Sequence, residues 1–217
     1  MRVLVGTGVG ALAVLGVAAS VAHFLVEPYN PGFLDHPVIT RSHVVLGGVY
    51  LALAPWQFVR RIRARALPYH RAAGRFLVAI GLVVGVTALF LSLVVPFSGN
   101  PERVVIGIFG GLFLTALLLG FRRVRQGRVA EHREWMLRAF AVGLSIATMR
   151  LIFIPSLAIV GDPTDQEIAM LSTGSFALSF LAHALAAELW IRRTRTGPVS
   201  PAGGQSARSA AHAALGS

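Results

Sequence analysis

Residues His36 to Gly81 read HPVITRSHVVLGGVYLALAPWQFVRRIRARALPYHRAAGRFLVAIG. An apolar segment is followed by an arginine-dense hairpin and then by a second apolar segment. Each apolar segment opens with a histidine, His43 in the first and His70 in the second. The pattern is that of two membrane-spanning helices joined on the cytoplasmic side, because short loops rich in Arg and Lys stay on that side.

The rest of the chain repeats the scheme. A spanning helix needs roughly 20 mostly apolar residues, and six such runs are predicted, over about residues 3–26, 38–59, 70–95, 103–121, 135–159 and 168–191. The fold class expected is an all-α, polytopic integral membrane bundle of six helices. Residues 1–195 form that domain, and the Gly/Ser/Ala/Pro-rich residues 196–217 are expected to be a disordered cytoplasmic tail. The opening MRVLVG resembles a signal peptide, but the apolar run behind it exceeds the usual signal core, so an uncleaved first helix is predicted.

Charge orients the bundle. The loops after the second and fourth runs and the flank after the sixth carry most of the arginines, and the other three loops carry most of the acids. Both termini are therefore expected in the cytoplasm. Trp56, Trp135, Trp190 and Tyr69 all fall at the arginine-rich ends, as an interfacial aromatic belt would. The net charge of +11 would suggest nucleic acid in a soluble protein. Placed beside apolar runs, it points instead to orientation and to anionic lipid headgroups. Cysteine is absent, which excludes disulfides, thiol catalysis and thiolate-bound metal.

Glycine spacing suggests close helix contacts at Gly6-x-x-x-Gly10, Gly81-x-x-x-Gly85 and Gly107-x-x-x-Gly111, within the bundle or with a second copy. Polar residues fall into stripes at about 100° per residue. On the second helix the stripe is His43, Gly47, Tyr50 and Gln57. On the third it is His70, Gly74, Gly81 and Gly85. On the fifth it is His132, Met136, Gly143 and Arg150, and on the sixth it is Ser172, Ser179 and His183. By depth, His70, His132, His183, Arg75, Arg138 and Gln57 belong to the arginine-rich half, and His23 and His43 to the outer half. Arg150 is the deepest charge, roughly 13 Å below the outer end of its helix, with no carboxylate predicted at its level. Glu188 stands four residues from Arg192, as in a surface i,i+4 ion pair.

These motifs resemble an uncharacterised bacterial membrane family, domain of unknown function 2306. The matching residues are His43 with Gly47, Gln57-Phe58 followed by Arg60, His70-x-x-x-Gly74-Arg75, His132-x-x-Trp135-Met136-x-Arg138, and Arg150. His23 and His183 lie outside that pattern. The resemblance spans about Thr40 to Glu188 and implies a multi-pass protein of the bacterial inner membrane without assigning a reaction.

Three functional readings follow. A b-type haem or related redox protein would use histidine pairs at matched depth, His70 with His132 and His23 with His43. That arrangement is similar to cytochrome b561-type proteins, except that the fourth helix has no histidine to pair with the second. A transporter or small-molecule binding protein would place Arg150, Tyr50 and His43 around an anionic or quinone-like ligand. A non-catalytic accessory protein would use the same stripes as helix contacts. Hydrolysis fits less well: no carboxylate is predicted at depth, and the HREW segment at His132 is not a His-Glu-x-x-His motif. No metal site is expected, and an enzyme is not the favoured reading.

Overall fold

The computed structural model describes residues 2–25 and 32–195. The predicted tail lies outside the described residues, as does the end of the first predicted span at Val26. Among the described residues the chain is helical and contains no strand. The elements are α1 (Arg2–Ala22), α2 (Gly32–Asp35), α3 (Pro37–Leu53), a 3-10 turn (Ala54–Phe58), α4 (Arg60–Arg65), α5 (Leu67–Val94), α6 (Asn100–Arg125), α7 (Val129–Val160) and α8 (Asp165–Arg195).

Five segments are long and apolar enough to cross a membrane: Pro37–Phe58, Leu67–Val94, Asn100–Arg125, Val129–Val160 and Asp165–Arg195. The first predicted span appears as α1, whose apolar part Gly6–Ala22 is shorter. Its 21 residues still extend about 31 Å at 1.5 Å per residue, close to the thickness of a hydrocarbon core. Only 28 to 33% of the most apolar window of each of the five spans is buried within the bundle. The remaining apolar surface faces outward, as it can only where lipid is the solvent.

Helices α5, α7 and α8 overshoot the predicted spans at the arginine-rich end. Hydropathy stops where charge begins, whereas the helices continue past the apolar layer. The basic loop RRVRQGRVAEHRE thus becomes two helix ends and a tight turn. Gly127 has φ of 73°, the left-handed conformation that closes a helix. Its N–H bonds the Val124 carbonyl at 3.1 Å, and the Arg128 N–H bonds the Arg123 carbonyl at 2.9 Å. The stretch after Val59, read from sequence as a loop, instead forms α4 and the first turn of α5.

Pro55 acts as expected and decides more than a bend. It lacks an N–H and cannot continue an α-helix interior, so α3 ends at Leu53 and the chain tightens into the 3-10 turn. The turn carries Gln57 off the ideal α-helical register of His43 and Tyr50.

Helices α1, α3, α5, α6 and α7 pack in that cyclic order, with α1 closing onto α7. Helix α8 packs outside the ring against α7 and α6. Tyr50 fills the middle: it is 6% exposed, meets Phe113 of α6 edge-on at 5.7 Å, and abuts Gly81 of α5 and Gly143 of α7. A Cβ at Gly143 would stand 3.1 Å from the Tyr50 ring, and one at Gly81 would stand 3.3 Å from it. These glycines therefore make room for an aromatic ring rather than for a second backbone.

Within the bundle, one of the three glycine pairs packs as expected. Gly81 and Gly85 do pack, against Leu117, Leu114 and Phe113 of α6. Gly6, Gly10, Gly107 and Gly111 have no neighbour within 4 Å of where a Cβ would sit. The packing glycines of the α1 side are Gly16, against Leu51 and Ala147, and Gly48, against Ser20.

Candidate functional site

Three chain segments converge in the half of the bundle away from the arginine-rich end. Helix α3 brings His43, the turn after α1 brings His23, and α7 brings Arg150. The His43 Nδ1 lies 3.1 Å from the Val84 carbonyl and 3.1 Å from Thr87 Oγ1, both on α5. Thr87 donates its own hydroxyl to Val83 O at 2.7 Å, so its oxygen can accept from an Nδ1–H. That contact holds the ring and leaves Nε2 as the acceptor. His23 meets Phe24 edge-on at 5.5 Å and Phe33 at 6.4 Å.

Arg150 sits ten residues before the end of α7 at Val160, about 15 Å along the axis. Its Nη1 donates to the Ile146 carbonyl of its own helix at 2.8 Å. Among the described residues no carboxylate pairs with it. Its charge acts on both His43 and His23, and the two imidazoles act on each other. The cluster is thus one guanidinium and two imidazoles. A guanidinium offers five N–H donors, and one is satisfied here by a described residue.

A second group assembles at the arginine-rich end. His70 of α5 lies within electrostatic reach of His132, Arg63 and Arg71. The His132 Nδ1 is docked on the Gly120 carbonyl of α6 at 2.9 Å. Met136 packs its methyl against Gly120. His70 Nδ1 and Gln57 Oε1 are buried without a hydrogen-bond partner among the described residues. Gln57 Oε1 faces Gly74 of α5, at 3.6 Å from where a Cβ would be, and Gly74 lies one helical turn along α5 from His70. Arg63 faces Arg133 and Arg60, and burial together with those two charges holds its pKa below the ordinary arginine value.

The remaining sequence candidates go elsewhere. Arg75 is exposed, so it is not part of a polar interior. Arg138 does not reach the bundle centre. It forms a two-pronged ion pair with Glu188 of α8, Nε to Oε1 at 2.5 Å and Nη2 to Oε2 at 3.1 Å, and lies 4.6 Å above the Trp135 ring. Glu188 therefore pairs across helices, which corrects the i,i+4 reading with Arg192. Trp135 is partly buried under that cation rather than turned wholly to lipid, whereas Trp56 and Tyr69 are exposed at 56% and 58%. His183 Nε2 hydrogen-bonds Thr148 Oγ1 of α7 at 2.8 Å and joins neither cluster.

The match that decides the family is broad. A family model described as a predicted membrane protein, DUF2306, matches residues 40–191. The chain belongs to that family. The matched region starts just before His43 and ends just past Glu188, so it contains every residue quoted for the resemblance. No curated protein and no solved structure matches the chain. As a member of DUF2306 it is a membrane protein, and its helices have the length and composition that this requires.

Several structurally important residues escaped the sequence reading. Glu102 is 7% exposed and accepts the Ser98 N–H at 2.6 Å, while Ser98 Oγ donates to Ala169 O of α8 at 2.8 Å. The signal was present: a Ser-Gly-Asn-Pro-Glu stretch places an acid at the third position of a helix that opens with Pro. Glu134 pairs with Arg195, and Glu131 bridges Arg123 and Arg128 at 3.1 and 2.6 Å. Arg195 and Arg123 reach their acids from other helices, where spacing carries no information, whereas Arg128 and Glu131 stand at i,i+3.

Proposed function

We propose that this is a multi-pass protein of the bacterial cytoplasmic membrane, with its arginine-rich end in the cytoplasm, that binds a small anionic or quinone-like molecule in the outer half of the bundle. The observation that carries the reading is Arg150: a guanidinium about 15 Å from its helix end that acts on His43 and His23 and has no carboxylate partner among the described residues. An ionised side chain at such depth is costly and marks a ligand or ion path more often than a packing role. A carboxylate or a quinone carbonyl offers oxygen acceptors to the guanidinium N–H groups that no described residue engages. His43, held by Val84 and Thr87, would present Nε2 to the same molecule.

A haem between the histidines is supported less well. A metal-ligating imidazole normally fixes its other nitrogen by a hydrogen bond, and His70 Nδ1 has none. At the outer pair, a cationic iron would sit beside the Arg150 charge with no described carboxylate to offset it.

The test is ligand-dependent thermal stabilisation of detergent-purified protein, using a short-chain ubiquinone analogue and a series of monocarboxylates. One of the two classes should raise the melting temperature saturably. The shift should vanish in Arg150→Gln and persist in Arg75→Gln, which removes an exposed charge. Equal shifts in wild type and Arg150→Gln, or no shift from either class, would overturn the reading.

A further inference from the structure

The arginine-rich end combines two features that ordinary loop charge does not explain. Buried polar atoms are nearly always hydrogen-bonded, and each exception calls for a reason. Two such atoms among the described residues are Gln57 Oε1, which faces Gly74 of α5, and Nδ1 of His70, one helical turn from Gly74 on the same helix. The surrounding charge is of one sign: Arg63, Arg71 and His132 act on His70, Arg133 and Arg60 act on Arg63, and no carboxylate among the described residues acts on His70 or Arg63. Elsewhere at this end the arginines do find acids, as Arg123, Arg128, Arg138 and Arg195 do. The unpaired basic group is therefore local to the space between the 3-10 turn, α4, α5 and the start of α7.

The cause is the proline break. Because Pro55 tightens the end of α3 into a 3-10 turn, Gln57 is turned onto α5 opposite Gly74, where a residue with a Cβ would approach its amide. Helix α4 then brings Arg63 close to His70 and Arg133. Trp56 and Tyr69, both exposed, flank the same place at the level expected of a membrane interface.

We infer that this end is a specific site for a phosphate ester bearing a free hydroxyl, with the phosphate on Arg63, Arg71 and Arg133 and the hydroxyl on the buried pair Gln57 Oε1 and His70 Nδ1. A hydroxyl both donates and accepts, so with His70 as the Nδ1–H tautomer it accepts from that N–H while donating its own proton to the amide oxygen. The phosphate supplies an ion-pair partner to three arginines that form none among the described residues, although Arg133 also feels the Glu134 charge. A glycerol-phosphate lipid headgroup and a soluble glycerol phosphate share this chemistry. The site uses no residue of the Arg150 cluster, so it stands or falls independently of that one.

The experiment is binding to delipidated full-length protein in dodecylmaltoside, read by native mass spectrometry and by melting temperature. The probes are phosphatidylglycerol, phosphatidic acid, phosphatidylcholine and soluble glycerol 1-phosphate. One phosphatidylglycerol should bind with a defined stoichiometry and more tightly than phosphatidic acid, which lacks the headgroup hydroxyl. Phosphatidylcholine should not compete. Gln57→Leu should weaken phosphatidylglycerol by about tenfold while leaving phosphatidic acid nearly unchanged. If glycerol 1-phosphate alone saturates and is weakened by the same substitution, the ligand is soluble and the site is confirmed. Should Gln57→Leu fail to fold, Arg63→Gln and Arg133→Gln, near the surface, serve in its place and should weaken both anionic lipids. Equal binding of the two anionic lipids, with affinities unchanged in these variants, would mean diffuse attraction to arginine loops and would overturn the inference.

Discussion

Arg138 on α7 and Glu188 on α8 are joined by two parallel hydrogen bonds, Nε to Oε1 at 2.5 Å and Nη2 to Oε2 at 3.1 Å. The pair clamps the one long helix that lies outside the five-helix ring. Both groups sit near the arginine-rich end, where the helices leave the apolar layer. A double-mutant cycle with Arg138→Gln and Glu188→Gln should give a coupling of about 1 kcal/mol, limited by the partial exposure of the carboxylate. Coupling of Glu188 to Arg192 should be smaller, because both carboxylate oxygens are already engaged. Chemical denaturation in mixed micelles measures both. A larger Arg192 coupling would restore the local helix pair as the dominant contact.

The central ring of Tyr50 depends on two glycines. Gly143→Val should destabilise by about 1–3 kcal/mol, because the added side chain meets the ring and the ring has no free direction to move. Gly111→Ala should be neutral or stabilise by up to about 1 kcal/mol, since its neighbourhood is open and alanine favours a helix. Melting temperatures of the two variants check this. A destabilised Gly111→Ala would show that this face packs after all, for instance against a second copy.

Gly127 closes α6 with a positive φ. Gly127→Ala should cost about 1 kcal/mol through that conformation alone, with open space around it. The same assay applies. A neutral result would mean that the turn relaxes to another closure.

Orientation is directly measurable because the chain has no cysteine of its own. Ala64→Cys on α4 and Asp162→Cys after α7 are both exposed positions on opposite ends of the bundle. An impermeant maleimide added to intact cells should label Asp162→Cys and spare Ala64→Cys. The reverse pattern would invert the bundle and move the Arg150 cluster to the cytoplasmic half.

The redox alternative predicts a coloured protein. The ligand-binding reading predicts that protein purified from haem-replete cells shows no Soret band. A Soret band with reduced α and β bands, lost in His70→Ala or His132→Ala, would replace the present reading with a haem site.

The helical class, the segments that reach lipid length and the family were legible in the chain itself. They depend on run length, loop charge and local motifs, which are properties of neighbouring residues. Interior geometry was not legible to the same degree. In lipid both faces of a spanning helix are apolar, so periodicity says little about which face turns inward. Gly6, Gly10, Gly107 and Gly111 carried the same spacing as Gly81 and Gly85, yet they face open space. From sequence, Arg75, Arg138 and Arg150 are all expected to face the polar interior, Arg150 deepest. Only packing placed one at the surface, one on Glu188, and one beside two histidines from other parts of the chain. The sequence by itself determined that this chain lives in a membrane and which of its ends is basic. The tertiary structure alone decided which polar side chains share a site, because that depends on helix rotation, and in this chain on a single proline that turns Gln57 away from its stripe.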